Sequence, residues 1–407
     1  MSPRKHTFTM VIAGTAFLAM SAFLIWAFSQ TGTLGMYRWG YRTPVLALVV
    51  VGLLPLGGAV AVLALRKRGG TLIAIVNGIS IGVSTLSLLV ALGVSLYIFT
   101  NAYGTIAAKE RPTVLDPARG FPLRTAPDGT PTFRVALSSD PHYGREASNA
   151  QSRSAILRLS EAEHKAGRLD AFFALGDTVE MGMEADDWQE AIESIRQDAP
   201  TLPFAALLGN HDGLIGGATR WRAAFAGGSG RNGVPQGGLT TSSWRMDAGQ
   251  VHFIALDLLW GPEGFGAKEK AWLADQLKAI PAGDFIVVLS HSFFYSSGYI
   301  DEGSGKAWYD HEEMLREVAP LIAGKVDLVV SGHNHYMEWI EADGTVWAVV
   351  GAMGGKPDPV PTYVSPGSVW FSQGRFGRLV LELTPAGLAA EFQDHQGTSL
   401  FQRTITK

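Results

Sequence analysis

Hydrophobic and polar positions divide this chain into two regimes. Over the first hundred residues the apolar positions run together: Phe8 to Phe28, Val45 to Leu65 and Leu72 to Phe99 contain no charged residue. Each run exceeds the ~20 apolar residues that a helix needs to cross the hydrocarbon core of a bilayer. The pattern predicts a membrane domain over residues 1–100, with transmembrane helices at about 8–28, 45–65 and 72–99. From Phe133 onward short apolar runs alternate with segments of helical spacing. Strands are predicted at Phe133 to Ser138, Ala171 to Leu175, Phe204 to Leu208, Val251 to Leu256, Phe285 to Leu289 and Leu328 to Val330. Between them Ser154 to Ala166, Trp188 to Arg196, Lys268 to Ala279 and His311 to Ala323 carry the period of helices. Strands without helices follow at Met337 to Glu341, Val346 to Val350, Leu379 to Leu383 and Leu388 to Phe392. Alternating strand and helix, then strands alone, implies an α/β sandwich with a mixed sheet over residues 132–407.

The two regimes are joined by residues 101–131, where Pro112, Pro117, Pro122, Pro127 and Pro131 block helix and favour extended chain. This stretch reads as a semi-rigid spacer that could also pack along the domain surface. Arg4 and Lys5 precede the first apolar run, and Arg66, Lys67 and Arg68 join the second to the third. Positive charge marks the cytoplasmic side. Three crossings then leave the C-terminal domain on the periplasmic or extracellular side of the membrane. The runs contain no Asp, Glu, Lys, Arg or His, the residues that mark transport paths in membranes, so they read as an anchor.

Composition narrows the chemistry. With 33 basic and 37 acidic residues the chain is mildly negative, which gives no electrostatic case for a nucleic-acid partner. There are no cysteines, so disulfides, thiolate nucleophiles and cysteine-ligated zinc are excluded.

Five short motifs each follow a predicted strand: Asp140-Pro141-His142, Gly176-Asp177, Gly209-Asn210-His211-Asp212, His291, and Gly332-His333-Asn334-His335. They offer seven metal-ligand side chains, Asp140, His142, Asp177, Asn210, His291, His333 and His335. Taken singly they are weak signals: Asp-Pro-His is most often a turn, and a lone histidine is most often structural. In this order, at strand ends, they describe a two-metal site for hydrolysis of phosphate esters. Asp and Asn oxygens with His nitrogens suit Mn, Fe or Zn. His6, His164, His252, His311 and His395 fall outside the motifs and are assigned no role.

The motif series resembles the calcineurin-like metallophosphoesterase superfamily, over roughly Phe133 to Thr404. The resemblance implies a four-layer αββα sandwich and two divalent metal ions. It places Asp140, His142 and His335 on the first metal, Asn210, His291 and His333 on the second, and Asp177 between them. It implies a metal-activated hydroxide as nucleophile, His211 assisting the leaving group, and Asp212 orienting His211. The purple acid phosphatase branch has tyrosine three residues after the bridging aspartate; Glu180 stands there in this chain, so tyrosinate-bound ferric iron is not expected. Many members have proline two residues after the histidine corresponding to His291, where this chain has Phe293.

The substrate is a phosphoester, with monoester and diester left open. Phe293, Phe294, Tyr295, Tyr299, Trp308 and Tyr309, with Trp260 and Phe265, could line a pocket or simply pack the core. Lys306 and Lys356 are candidate phosphate contacts. A membrane anchor makes a lipid-linked or cell-envelope substrate attractive. The alternatives are a catalytically inactive sensor or scaffold that binds a phosphorylated ligand on the same fold, and a membrane module whose helices carry the function.

Overall fold

The computed structural model describes residues 111–407 except 122, 126–128, 130, 146–147, 227–237, 263, 301–304, 306 and 309, together with 89, 93 and 96. Among the described residues no helix is long and apolar enough to cross a membrane. The predicted spans at 8–28 and 45–65 lie outside the described residues, as does all of the third except 89, 93 and 96, which are helical. Lys306 and Tyr309 also lie outside them, and the side chain of Trp308 is not described. The larger of two compact units comprises Thr105–Gly213 and Arg220–Lys407, and it holds all five motifs.

Thirteen strands of this unit form two sheets: β1 Arg134–Ser138, β2 Ala171–Ala174, β3 Phe204–Ala206, β4 Trp244–Ala248, β5 Val251–Ala255, β6 Phe285–Ser290, β7 Leu328–Ser331, β8 Met337–Ala342, β9 Thr345–Val350, β10 Ser368–Ser372, β11 Gly377–Thr384, β12 Gly387–Asp394 and β13 Ser399–Ile405. One sheet has the order β13-β12-β11-β1-β2-β3, and the other β10-β8-β9-β7-β6-β5-β4. β1, β2 and β3 run parallel, as do β5, β6, β7 and β9, while the remaining neighbours are antiparallel. Strands β5 and β6 are buried along their whole length, which is why they appear in the sequence as unbroken apolar runs.

The inner faces of the sheets meet. Leu137, Phe173, Leu381 and Phe392 from the first sheet share one buried cluster with Phe253, Val287, Val330 and Trp339 from the second. Helices α1 Ala150–Lys165 and α2 Ala185–Asp198 belong to the first sheet's side. Arg378 on β11 donates to Ser160 Oγ and Glu163 Oε2 of α1, at 2.6 and 2.7 Å. Arg158 of α1 pairs with Asp198 of α2 at 2.7 Å. After the single turn α3 Asn210–Gly213, helices α4 Ala267–Lys278, α5 Glu312–Glu317 and α6 Ala319–Ile322 cover the second sheet. Leu273, Met314 and Ile322 from these helices pack on Ile254, Val288, Val329 and Trp347. The layers are therefore helix, sheet, sheet, helix.

Three strands were not legible in the pattern: β4, β10 and β13. All three are edge strands of their sheets. An edge strand has one unpaired side and tolerates polar residues, so Ser399–Ile405 mixes exposed and half-buried positions with none buried. The helix expected over 311–323 is broken after Glu317 and restarts at Ala319 with Pro320 in its first turn. Proline is tolerated in the first turn of a helix and breaks an interior. The second half of the proline-rich stretch is also part of the fold. Phe204 donates its N–H to Thr113 O, Leu115 donates to Phe204 O, both at 2.7 Å, and Phe121 is buried in the core between the sheets.

Candidate metal centre

The motifs follow the C-terminal ends of β1, β2, β3, β6 and β7, where open α/β sheets place their ligands. Getting the side chains to converge strains the backbone. Asp140, His142, Asp177 and His333 have φ of 62°, 47°, 49° and 72°, and the other positive-φ residue besides glycine among those described is Asp343. The left-handed region is costly for residues with a Cβ, and such strain concentrates at functional sites. Two glycines make room. Gly176 has φ of +101°, and an added Cβ would lie 2.6 Å from His291 Nδ1. At Gly209 the requirement is close approach: a Cβ there would sit 2.1 Å from the backbone nitrogen of Asp177.

The seven predicted ligands come together in two groups. In one, Asp140 Oδ1 lies 3.8 Å from His142 Nε2 and 3.5 Å from His335 Nε2, and these two nitrogens are 3.1 Å apart. In the other, Asn210 Oδ1 is 3.0 Å from both His291 Nε2 and His333 Nδ1. Asp177 stands between the groups, its Oδ2 3.8 Å from His142 Nε2 and 3.3 Å from His291 Nε2. His333 and His335, two residues apart, thus fall into different groups.

These donors fit cations. Asp140 Oδ1 is fully buried and has no hydrogen-bond partner, while Oδ2 accepts the His333 N–H at 2.8 Å. A buried carboxylate oxygen left unpaired would be costly without a cation. The outward ring nitrogens are taken: His142 Nδ1 donates to Glu180 Oε2 at 2.7 Å, His291 Nδ1 to Leu175 O at 2.8 Å, and His335 Nδ1 to Lys356 O at 2.6 Å. Carboxylate and carbonyl oxygens only accept, so each Nδ1 holds a proton. In the neutral ring, each Nε2 then presents a lone pair to the centre, which is how metal-binding histidines are oriented.

The electrostatics follow from this crowding. Burial alone would raise the Asp140 carboxyl, but the neighbouring His142 and His335 rings hold it well below the usual range. Asp177 is likewise lowered against its burial by the charges on His291 and His211. Burial would lower His142, yet Asp140 and Glu180 raise it to about 10. His291, buried beside Asp177, is raised to about 9. Burial and the neighbouring His291 charge push His333 well below the ordinary histidine value.

His211 and Asp212 do not form the pair that the sequence suggested. His211 Nδ1 donates to the Glu180 carbonyl at 2.6 Å. Asp212 is fully buried, and its carboxylate accepts Val179 N–H and Gly209 N–H, each at 3.1 Å. Asp212 therefore ties the loops after β2 and β3 together, and Glu180 orients His211. The reason is local: the turn α3 directs the Asp212 side chain back to the backbone N–H three residues earlier, while the His211 ring points away from it. His211 is 30% exposed, more than His142, Asp177 or His291 beside it, so it is open to an incoming molecule.

The aromatic stretch divides. Trp260 stands edge-on to the His333 ring with centroids 4.2 Å apart, and Phe293 stacks on it at 5.8 Å. Ser292 fixes this wall by donating its N–H to Leu258 O and accepting Gly261 N–H on Oγ, both at 2.9 Å. Phe265 and Phe294 pack the core beneath α4 and α5, with Tyr295 against them. Lys356 contributes its backbone carbonyl to His335, and its side chain is exposed. Glu180 and Asp358 were missed in the sequence; Asp358 Oδ2 accepts the His335 N–H at 2.6 Å. The departure at the tyrosine position was the available signal for Glu180; for Asp358 no motif pointed to it.

No curated protein matches this sequence. Among solved structures, the chain is similar to the purple acid phosphatase PPD1 from yellow lupin (Lupinus luteus) seeds, at 18% identity and a TM-score of 0.54, over 70% of this chain and 54% of that one. This chain thus spans about half the length of the lupin enzyme. It is also similar to GAP50, the anchor in the inner membrane complex of Plasmodium, at 19% identity and a TM-score of 0.47, over 68% of this chain and 89% of that one. At such identities the likeness to the lupin enzyme shows the fold alone. Residues 133–337 match the family model described as calcineurin-like phosphoesterase, and with its motifs converging in the geometry above, this chain belongs to the calcineurin-like phosphoesterase family.

Proposed function

We propose that this chain is a membrane-anchored phosphohydrolase working with two divalent cations. Asp140, His142 and His335 would hold one, and Asn210, His291 and His333 the other, with Asp177 shared. One observation carries the reading: three outward-facing ring nitrogens are pinned by acceptors, while the Nε2 atoms turn inward, those of His142 and His335 beside Asp140 Oδ1 and that of His291 beside Asn210 and Asp177. Mn, Fe or Zn suit these oxygen and nitrogen donors. Bound there, such cations would neutralise phosphate oxygens and acidify a water.

The chain's own residues do the positioning. The Glu180 carbonyl fixes the His211 proton on Nδ1, so Nε2 is the atom left to exchange a proton with the leaving oxygen. Asp212 holds the loops that carry Asp177 and Asn210 in register. Trp260 and Phe293 exclude water from the His333 side and leave the half-exposed His211 side for the substrate.

The substrate proposed is an amphiphilic phosphoester, lipid-linked or from the cell envelope. The segment that holds His335 through Lys356 and Asp358 continues into Val360 and Val364, which are 71% and 63% exposed. Tyr363 pairs with Gly298, and two residues on Ile300 is 54% exposed. Exposed apolar residues grouped beside a polar site suit a ligand with both characters. The three uncharged runs of the N-terminal hundred residues would anchor the chain, with the catalytic domain periplasmic or extracellular.

The test is turnover by the full chain in detergent, loaded with manganese, on bis-p-nitrophenyl phosphate and p-nitrophenyl phosphate. Chelator-sensitive hydrolysis is expected, and the ratio of rates assigns diester or monoester preference. No hydrolysis of either, or of lipid-linked phosphates, by a chain holding two cations would mean a phospho-ligand-binding protein instead. Because the chain has no cysteine, a single Cys placed at exposed Lys268 reports topology: a membrane-impermeant maleimide should label it in intact cells. Labelling only after lysis would reverse the orientation.

A further inference from the structure

Glu180 touches both histidines that flank Asp177 on the open side of the site. Its Oε2 accepts from His142 Nδ1 at 2.7 Å, and its backbone carbonyl accepts from His211 Nδ1 at 2.6 Å. The residue itself is held from two sides. Its N–H donates to Tyr143 O at 2.8 Å, locking it to the loop that carries Asp140 and His142. Its Oε1 lies 3.2 Å from Arg145 Nη1, and Oε2 accepts from the same nitrogen at 3.3 Å. The His142 ring has no other partner on its outer edge among the hydrogen bonds of the described residues. Without the carboxylate it could rotate or move its proton to Nε2.

We infer that Glu180 is the positioning residue of this site: its carboxylate sets the tautomer and orientation of His142 toward the cation shared with Asp140 and His335, and its carbonyl sets those of His211. The inference rests on the metal-centre reading above and goes beyond it, since the side chain and the main chain of one residue register a ligand ring against a proton-donor ring. The two contacts are separable by experiment. Side-chain substitution removes the carboxylate's contacts with His142 and Arg145, and the carbonyl to His211 remains. A carboxylate behind a metal-bound histidine typically changes metal affinity tenfold to a hundredfold when lost.

The experiment is Mn2+ titration of the full chain in detergent, with bound metal counted per chain, for the wild type, Glu180→Ala, Glu180→Gln and Arg145→Ala. The wild type is expected to bind two Mn2+. In Glu180→Ala one binding class should weaken by about tenfold to a hundredfold while the other is unchanged. Glu180→Gln keeps an amide oxygen that can accept from Nδ1 and should recover part of that loss. Arg145→Ala, which only loosens the carboxylate, should fall between wild type and Glu180→Ala. A purely structural residue would weaken both classes together and lower the melting temperature of the metal-free protein, with no rescue by Gln. Two unchanged classes in Glu180→Ala, or equal weakening of both, would overturn the inference. A wild type that binds no Mn2+ would instead overturn the metal-centre reading, so the two failures are distinguishable.

Discussion

Metal binding to this protein should release protons, and the number follows from the site's own charges. In the metal-free protein His142 is raised to about 10 and His291 to about 9, because buried carboxylates face them. Both imidazoles are therefore charged at pH 7.5. A metal requires the neutral ring, so binding must displace a proton from each. His333 contributes none, being held well below the usual histidine value. Burial would lower His335, yet the Asp140 carboxylate raises it, so it adds to the release. About two protons from these histidines should leave per pair of cations, with any further release coming from His335 and a cation-bound water. The sign is fixed: a histidine with a raised pKa keeps its proton as pH rises through neutrality. Apparent affinity for the pair should thus fall about tenfold per proton for each pH unit below 9, close to a hundredfold in the product of the two binding constants. Calorimetric titration with Mn2+ in PIPES, HEPES and Tris at pH 7.5 gives the count, since the slope of observed enthalpy against buffer ionisation enthalpy is the number of protons released. A slope near zero would mean that the rings are neutral before metal arrives, and the account of carboxylates charging His142 and His291 would be wrong.

Other substitutions probe separate parts of the arrangement. Asp177→Asn removes the charge that both ligand groups share and should abolish turnover and lower the cation count; retention of most activity would refute its placement. His211→Ala should keep both cations and slow the chemical step by about 10²–10⁴-fold, and a fall in bound metal would make His211 a ligand. Gly209→Ala drives a Cβ to 2.1 Å from the Asp177 nitrogen, so it should destabilise the fold by about 1–3 kcal/mol in thermal or urea unfolding and weaken metal binding. An unchanged midpoint would show that the loops after β2 and β3 can part at no cost. Trp260→Ala should open the His333 side to water and weaken binding of the cation that Asn210, His291 and His333 would hold; unchanged binding of both cations would remove Trp260 from that wall.

The central strands and the site were legible because each motif follows a strand buried on both faces, and burial enforces an apolar run that ends where the polar ligand begins. That is why β5 and β6 stand out, and why Asp140, Asp177, Asn210, His291 and His333 could be located from residue types alone. The edge strands β4, β10 and β13 escaped, since half-exposed strands need no apolar pattern. The resemblance implied that Asp212 orients His211, but the one-turn helix α3 turns the Asp212 carboxylate to the Gly209 N–H and leaves the Glu180 carbonyl to His211. Glu180 and Asp358 reach the site from loops whose course only tertiary packing determines. The proline-rich stretch looked like a spacer because its five prolines block helix, and nothing local says that Phe121 fills the space between two sheets.

The most direct test of a paired-cation site is the electron paramagnetic resonance spectrum of the full chain loaded with two Mn2+. Cations held by the two groups would share Asp177 and so be close enough to couple. The account predicts an exchange-coupled multiline spectrum that appears only as the second equivalent is added and disappears in Asp177→Asn. A simple six-line spectrum at two equivalents, or saturation at one Mn2+ per chain, would contradict it.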